Sequence, residues 1–202
     1  MLVVITNPTA VADEAIIINA LFDEGLEILH VRKPGVAIDE MSALIEQIKP
    51  QYLYQVALHQ HLEIAGDLGI HRLHFTEVKR KKVSEEKLMQ LKRENNMLST
   101  SIHQTEEYQN LSPYFDYSFY GPVFDSISKQ GYISTNPDDF IFPVQLNRPR
   151  VIAIGGIDST NIQKAVNMQF YGVAALGTIW QKTDQSIQQF KALQKAWKQT
   201  GR

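Results

Sequence analysis

The 202-residue sequence contains no cysteine, which excludes disulfide bonds and thiolate metal ligands. It also has little excess charge: 20 Lys and Arg residues stand against 22 Asp and Glu residues, a net charge of −2. No electrostatic attraction to nucleic acid is therefore predicted. No apolar run is long enough to cross a membrane, and the N-terminus lacks the basic region of a signal peptide. These absences predict a cytoplasmic protein with no membrane or nucleic-acid partner.

Short apolar runs alternate with amphipathic stretches, as parallel strands alternate with helices. Eight such units predict one (β/α)8 barrel domain over residues 1–202. An open doubly wound sheet is the alternative, but no G-x-G-x-x-G follows the first strand. Residues 132–149 hold three prolines and little helical periodicity, so the sixth helix is predicted to be short or missing. The predicted strands are 2–6, 27–31, 52–58, 72–75, 97–102, 117–120, 150–154 and 172–176.

Polar side chains stand at the carboxyl ends of the predicted strands, where barrel enzymes carry their sites. Because side chains alternate along a strand, His30 and Arg32 share one face at the end of the second strand. Ser101 and His103 share a face at the end of the fifth, and His59 ends the third. We therefore expect these residues to gather at the rim of the barrel and to bind or act on a small molecule.

Two glycine features indicate a phosphate site. Gly155 and Gly156 follow the seventh strand, and Gly177 and Thr178 follow the eighth. In these barrels the loops after strands seven and eight present backbone N–H groups to a phosphate. The alternative is that the glycines only turn the chain at barrel corners.

The loop after the sixth strand carries hydroxyls and a cation, namely Ser126, Ser128 and Lys129. These groups suit a second anionic group of a ligand. A loop at this position could instead close over the site as a lid.

In combination, these segments resemble the thiamine phosphate synthase and TenI family. The resemblance covers residues 26 to about 180 and implies a thiamine-biosynthesis barrel that acts on a thiazole phosphate. The matching pieces are 30–32 (His-Val-Arg), 59–65, 73–74, 101–103 (Ser-Ile-His), 116–117, 121–124 (Gly-Pro-Val-Phe) with Lys129, 153–157 (Ala-Ile-Gly-Gly-Ile) and 172–174.

The family holds two chemistries. Synthases couple a pyrimidine diphosphate to thiazole phosphate with Mg²⁺, whereas TenI-like tautomerases aromatise a thiazole carboxylate phosphate with a histidine and no metal. The resemblance puts the synthase aspartates at Gln60 and near Lys79, an amide and an ammonium that suit Mg²⁺ poorly. Glu77 could replace them only in part. The sequence therefore favours a metal-independent thiazole tautomerase (an isomerase) over a synthase (a transferase).

The resemblance also implies roles for single residues. His103 matches the histidine to which the tautomerases assign proton transfer, and Arg32 suits the substrate carboxylate. No metal ligand and no cofactor are predicted, since Mg²⁺ is needed only by the synthase alternative. The other predicted contacts are His30, His59, Ser101 and Lys129 for the substrate, and Ser126, Ser128, Gly155, Gly156, Gly177 and Thr178 for its phosphate.

Three other interpretations stay open at this point. The chain could be a synthase, or a non-catalytic barrel that binds a thiamine-related phosphate and regulates a partner. A different phosphate barrel is disfavoured. Such barrels usually need carboxylate acids and bases at their strand ends, and few Asp or Glu residues stand at the strand ends of this sequence. A homodimer would be in keeping with the family.

Overall fold

The eight predicted strands form a closed parallel barrel. A computed structural model describes residues 1–125 and 139–202. Each strand is hydrogen-bonded to the next, and the eighth closes on the first. The predicted α/β barrel is thus confirmed. The strands are β1 (Leu2–Ile5), β2 (Ile28–Val31), β3 (Val56–Leu58), β4 (Arg72–Phe75), β5 (Met97–Ile102), β6 (Tyr117–Tyr120), β7 (Arg150–Ile154) and β8 (Gly172–Ala175).

Helices lie outside the strands and cover them. Ser84 caps one of them, since its hydroxyl accepts from the Lys87 N–H and so satisfies a free donor of the first turn. No helix in the described part of the chain is both long and apolar enough to cross a membrane. The helices are α1 (Glu14–Asp23), α2 (Ile38–Glu46), α3 (Glu77–Arg80), α4 (Glu85–Arg93), α5 (Thr105–Gln109), α6 (Ile162–Asn167), α7 (Gly177–Trp180) and α8 (Ser186–Gln199).

Alternation along the strands separates two cores. In β2, Leu29 and Val31 pack in the larger core together with residues of the helices, while Ile28 belongs to a smaller second core. This second core includes Val3, Ile5, Tyr117, Phe119, Ile152 and Ala174, which come from four further strands. His30 shares the face of Ile28, so its side chain points into the barrel.

Aromatic packing covers the barrel between β6 and β7. Among the described residues of this connection, 121–125 and 139–149, there is no helix; residues 132–138 of the stretch predicted to have a short or missing helix lie outside the described residues. Phe142 is fully buried there, with its ring 5.0 Å from those of Tyr108 and Tyr120 and 5.4 Å from that of Phe170. The described part of this connection thus buries aromatic area against the barrel through Phe142.

One strand boundary was predicted wrongly, and two short helices were missed. The third strand begins only at Val56, because Pro50–Gln55 form a 3-10 helix with the proline at its first turn. Tyr52 stacks on Phe22 at 4.8 Å, which holds this turn against α1. The short helices α3 and α7 were not predicted, because four-residue helices carry no readable periodicity.

Candidate active site

His103 lies at the rim and has a defined tautomer. Its Nδ1 is 2.8 Å from the carbonyl oxygen of Gly121. A carbonyl can only accept, so Nδ1 carries the proton and Nε2 of the neutral ring holds the lone pair. None of the residues described contacts Nε2 through a hydrogen bond, and the side chain is exposed. This arrangement presents a base to whatever occupies the mouth of the barrel.

The start of α5 holds His103 in place. The carboxylate of Glu107 accepts from the backbone N–H of His103 at 2.7 Å and of Gln104 at 3.2 Å. The same carboxylate is paired with Arg80 at 2.7 Å. Hydrogen bonds and the Arg80 charge lower the pKa of Glu107 although its partial burial opposes them. An anchored carboxylate thus fixes the backbone from which the imidazole projects.

Gly155 and Gly156 have a packing explanation. Both have positive φ, 97° and 63°, and the loop after β6 lies against them. A Cβ on Gly156 would come within 2.4 Å of the carbonyl oxygen of Asp125, and one on Gly155 within 2.7 Å of Pro122 Cα. Close packing of the two loops is thus a third explanation for these glycines, besides the two drawn from the sequence, a turn at a barrel corner and an anion site. Phosphate binding by their N–H groups stays a prediction.

The two glycine-containing loops leave neighbouring strands at the same end of the barrel, because β7 pairs with β8. Gly177 and Thr178 open α7, where backbone N–H groups have no partner within the helix. The Thr178 hydroxyl donates to the carbonyl of Ile157 and ties the loops together. In the described parts of the chain, no group accepts from the backbone N–H of Gly155, Gly156, Gly177 or Thr178.

Arg32 follows β2, and hydrogen bonds with the Thr6 side chain fix its backbone. Its N–H donates to Thr6 Oγ1 at 2.9 Å, and the Thr6 hydroxyl lies 3.2 Å from its carbonyl. Lys33, next in the chain, turns away: its Nζ lies 2.6 Å from the Glu14 carboxylate, and both side chains are over nine-tenths buried. Arg32 is therefore the cation that this segment offers to the mouth.

Three histidines lie inside the barrel, below its rim. His30 is 0% exposed, His59 3% and His74 1%. His30 is hydrogen-bonded through Nδ1 to His59 Nε2 at 2.8 Å and through Nε2 to the Tyr117 hydroxyl at 2.7 Å. The prediction that His30 and His59 lie on the rim is wrong, because both side chains, His30 in β2 and His59 directly after β3, are buried and bond to each other in the interior. Their contact with a substrate stays a prediction.

Ser101 belongs to this interior network. Its hydroxyl is 3.1 Å from His74 Nε2, and Ser99 binds Nδ1 of the same ring at 3.0 Å. Ser101 therefore does not contact His103, whose ring is oriented by the carbonyl of Gly121. Sequence analysis gave no site role to His74 or Tyr117. Alternation along their strands points the side chains of Tyr117, Ser99 and His74 into the barrel, and this pattern could have identified them.

Burial keeps the interior imidazoles neutral. It is the main cause that lowers the pKa of His74 to about 3, and the charges of Arg32 and Lys79 add to it. The pKa values of His30 and His59 are also well below their usual range, again mainly through burial. Burial raises the pKa of Tyr117 to about 12. The network is therefore uncharged near neutral pH.

The remaining predicted contacts, Ser126, Ser128 and Lys129, lie outside the described residues. The described site thus consists of His103, Arg32 and the paired loops after β7 and β8. A neutral polar network lies beneath it.

The chain matches the family model described as thiamine monophosphate synthase over residues 2–179. It belongs to the TMP-TENI family. The family match confirms the resemblance and assigns the barrel to thiamine biosynthesis. No curated protein is similar enough to the sequence to count as a relative.

Solved structures similar to this TMP-TENI barrel share its fold at low identity. Thiamine phosphate pyrophosphorylase from Bacteroides thetaiotaomicron is 24% identical, with a TM-score of 0.72 over 98% of this chain and 97% of its own. The Pyrococcus furiosus enzyme of that name is 16% identical, with a TM-score of 0.76 over 98% and 96%. The 3-hexulose-6-phosphate synthase from Salmonella typhimurium is 15% identical, with a TM-score of 0.68 over 99% and 100%. These likenesses show the fold alone.

The Mg²⁺ of the family's synthases does not fit the donors present in the described residues of this TMP-TENI chain. Gln60 offers an amide oxygen, and that oxygen already accepts from the Lys33 N–H at 2.9 Å. Glu77 is paired with Lys81, which lowers its pKa, and the neighbouring Lys79 is a cation. Mg²⁺ needs one or two available carboxylates besides phosphate oxygens.

Proposed function

We propose that this barrel is a thiazole tautomerase whose chemistry needs no metal ion. The observation that supports this most strongly is the His103 imidazole, whose Nδ1 proton is held by the Gly121 carbonyl and whose Nε2 is available at the rim. A tautomerase needs a group that takes a proton from one ring atom and returns it to another. A histidine imidazole can both accept and return a proton near neutral pH, and it is the side chain that most often plays these roles.

In the proposed step, Nε2 of His103 accepts a proton from the thiazole ring, and the electron pair of the broken bond moves into the ring. The ring of His103 is then a cation. Its Nδ1–H stays bonded to the Gly121 carbonyl, whose negative end stabilises the charge. Nε2 next returns the proton to a different atom of the substrate, so the net change is a tautomerisation.

Two anionic groups of the substrate would hold the ring near His103. Arg32 suits the carboxylate, because its planar guanidinium matches two carboxylate oxygens. The N–H groups of Gly155, Gly156, Gly177 and Thr178 suit the phosphate, since none donates to another described residue. Here Ser101, His30 and His59 support the site from below rather than contact the reacting atoms.

The variant His103→Asn tests this proposal. We expect turnover of thiazole carboxylate phosphate, followed by NMR, to fall at least about 100-fold, because a general base contributes about that much or more. Calorimetric affinity for the thiazole phosphate should change little, since the phosphate contacts remain. The matched control is His71→Asn, which alters an exposed histidine outside the site and should keep full activity. A fully active His103→Asn variant would refute the assignment.

Thiamine phosphate synthase is the second candidate, supported by the description of the family model. The donor set argues against it, as Gln60 and Glu77 are both engaged by lysines. The protein, mixed with pyrimidine diphosphate, thiazole phosphate and Mg²⁺, should form no thiamine phosphate, which is detected by fluorescence after oxidation. Tight binding of the thiazole phosphate with neither reaction would indicate a non-catalytic binding barrel.

A further inference from the structure

The geometry points to a transition-metal site inside the barrel, formed by His30, His59 and His74. One ring nitrogen from each of these side chains lies within 4.8 Å of the other two, and all three residues are at least 97% buried. In the described part of the chain, no other group of three or more His, Asp or Glu residues is close enough to bind one ion. This site is separate from the mouth and takes no part in the proposed tautomerisation.

The donor set selects the class of metal. Three imidazole nitrogens suit borderline ions such as Zn²⁺, Co²⁺, Ni²⁺ and Cu²⁺, whereas Mg²⁺ and Ca²⁺ require oxygen ligands. Burial keeps the rings in the neutral form that coordinates a metal. Three protein ligands also match the count at zinc sites that keep one exchangeable position. Zn²⁺ is the ion that we assign to the site.

Hydrogen-bond partners of the kind that orient metal-bound histidines are already present. A metal-bound histidine usually gives its other ring nitrogen to a fixed partner, which orients the ring. His30 has the Tyr117 hydroxyl at 2.7 Å from Nε2, so its Nδ1 faces the cluster. His74 has a serine hydroxyl at each nitrogen, Ser99 and Ser101, so one of them stays in contact whichever nitrogen binds.

Metal binding would require a small rearrangement. At a tetrahedral Zn²⁺ with bonds of about 2.0–2.1 Å, ligand nitrogens stand about 3.3 Å apart. His30 Nδ1 and His59 Nε2 are now 2.8 Å apart and share a proton. That proton moves to another ring nitrogen of the pair as the metal takes its place, so each imidazole stays neutral. The other separations, at most 4.8 Å, close by up to about 1.5 Å. The His59 and His74 rings now stack at 3.8 Å with their planes 20° apart, so one of them must also turn before both nitrogens point at the ion.

The charges around the cluster define the rest of the coordination shell. Arg32 and Lys79 approach from the mouth and Arg72 from below, and each lowers a histidine pKa. These cations oppose a bare divalent ion. They favour an ion that carries an anionic fourth ligand, such as hydroxide or a small anion, on its open side.

Titration of the metal-free protein tests the inference. After treatment with EDTA, the full chain is titrated with ZnCl2 by calorimetry and with CoCl2 by visible absorption. We expect one ion per chain and the intense absorption of four-coordinate Co²⁺. Mg²⁺ in large excess should not compete, because the three proposed ligands are imidazole nitrogens and Mg²⁺ requires oxygen ligands.

Single substitutions locate the ion. His30→Gln, His59→Gln and His74→Gln should each weaken Zn²⁺ binding at least about 100-fold, and Tyr117→Phe about 10–100-fold. His71→Gln, which changes an exposed histidine, should bind as the parent does. Thermal unfolding of each metal-free variant shows whether it is folded, and Tyr117→Phe, which removes a single hydroxyl, is the variant that depends least on refolding of the core.

Two results would overturn the site. One is wild-type protein that binds no Zn²⁺ above the level of surface histidines, which would make the cluster a hydrogen-bonded network only. The other is Zn²⁺ binding that His71→Gln abolishes while the folded cluster variants retain it.

Discussion

The buried histidines make the stability of the metal-free protein depend on pH. His74 has an ordinary pKa of 6.5 when unfolded and about 3 when folded. Below pH 6.5 the unfolded chain binds a proton that the folded chain does not, so the free energy of unfolding falls as pH falls. Relative to neutral pH, His74 alone lowers the free energy of unfolding by about 2 kcal/mol at pH 5 and by about 5 kcal/mol once the pH is below 3. His30 and His59 act in the same direction.

Urea unfolding of EDTA-treated protein at several pH values between about 8 and 5 measures this loss. The free energy of unfolding of a typical domain is only about 5–15 kcal/mol, so the shift of the urea midpoint with pH should be large. His74→Gln removes one titrating group. From about pH 8 to pH 5 we expect the unfolding free energy of this variant to fall by about 2 kcal/mol less than that of the parent. His71→Gln is the matched control and should show the parental pH dependence, because it alters an exposed histidine.

Carboxylates also titrate in this range, but they are common to all three proteins and cancel in the comparison. If His74→Gln and the parent lose stability in parallel from pH 8 to pH 5, His74 is not a buried neutral imidazole. The interior network as described would then be wrong.

Two further substitutions test the packing that supports the mouth. Gly156→Ala should destabilise the protein by at least about 1–3 kcal/mol in urea unfolding, since its Cβ would meet the Asp125 carbonyl at 2.4 Å and its φ is 63°; an unchanged midpoint would mean that the two loops do not pack as described. Glu14→Gln should cost about 3–5 kcal/mol because it leaves the Lys33 ammonium buried without its counter-ion. The double variant with Lys33→Met should recover most of that loss, and failure to recover would show that the charge pair is not the cause.

The strand pattern was readable from the sequence because buried parallel strands are short apolar runs bounded by turns. Arg72–Phe75, Met97–Ile102 and Tyr117–Tyr120 were predicted to the residue. The third strand was not, because apolar and aromatic residues of the Pro50–Gln55 turn extend the run without joining the sheet. Local composition does not say which part of an apolar run finds a partner strand.

The site was only partly readable. Alternation along a strand indicates whether a side chain faces the barrel interior. The position of that side chain along the barrel axis depends on the shear of the closed barrel, which a single strand does not reveal. His30, which precedes Arg32 on the same face, therefore lies inside rather than on the rim. The contacts of Gly156 with Asp125 and of Lys33 with Glu14 join distant segments, and no local pattern encodes them.

A complex with the thiazole carboxylate phosphate tests the central claim most directly. The account predicts phosphate oxygens within hydrogen-bond distance of the backbone N–H groups of Gly155, Gly156, Gly177 and Thr178, with the thiazole ring against Nε2 of His103. A phosphate bound away from these loops, or a ring out of reach of that nitrogen, would contradict it.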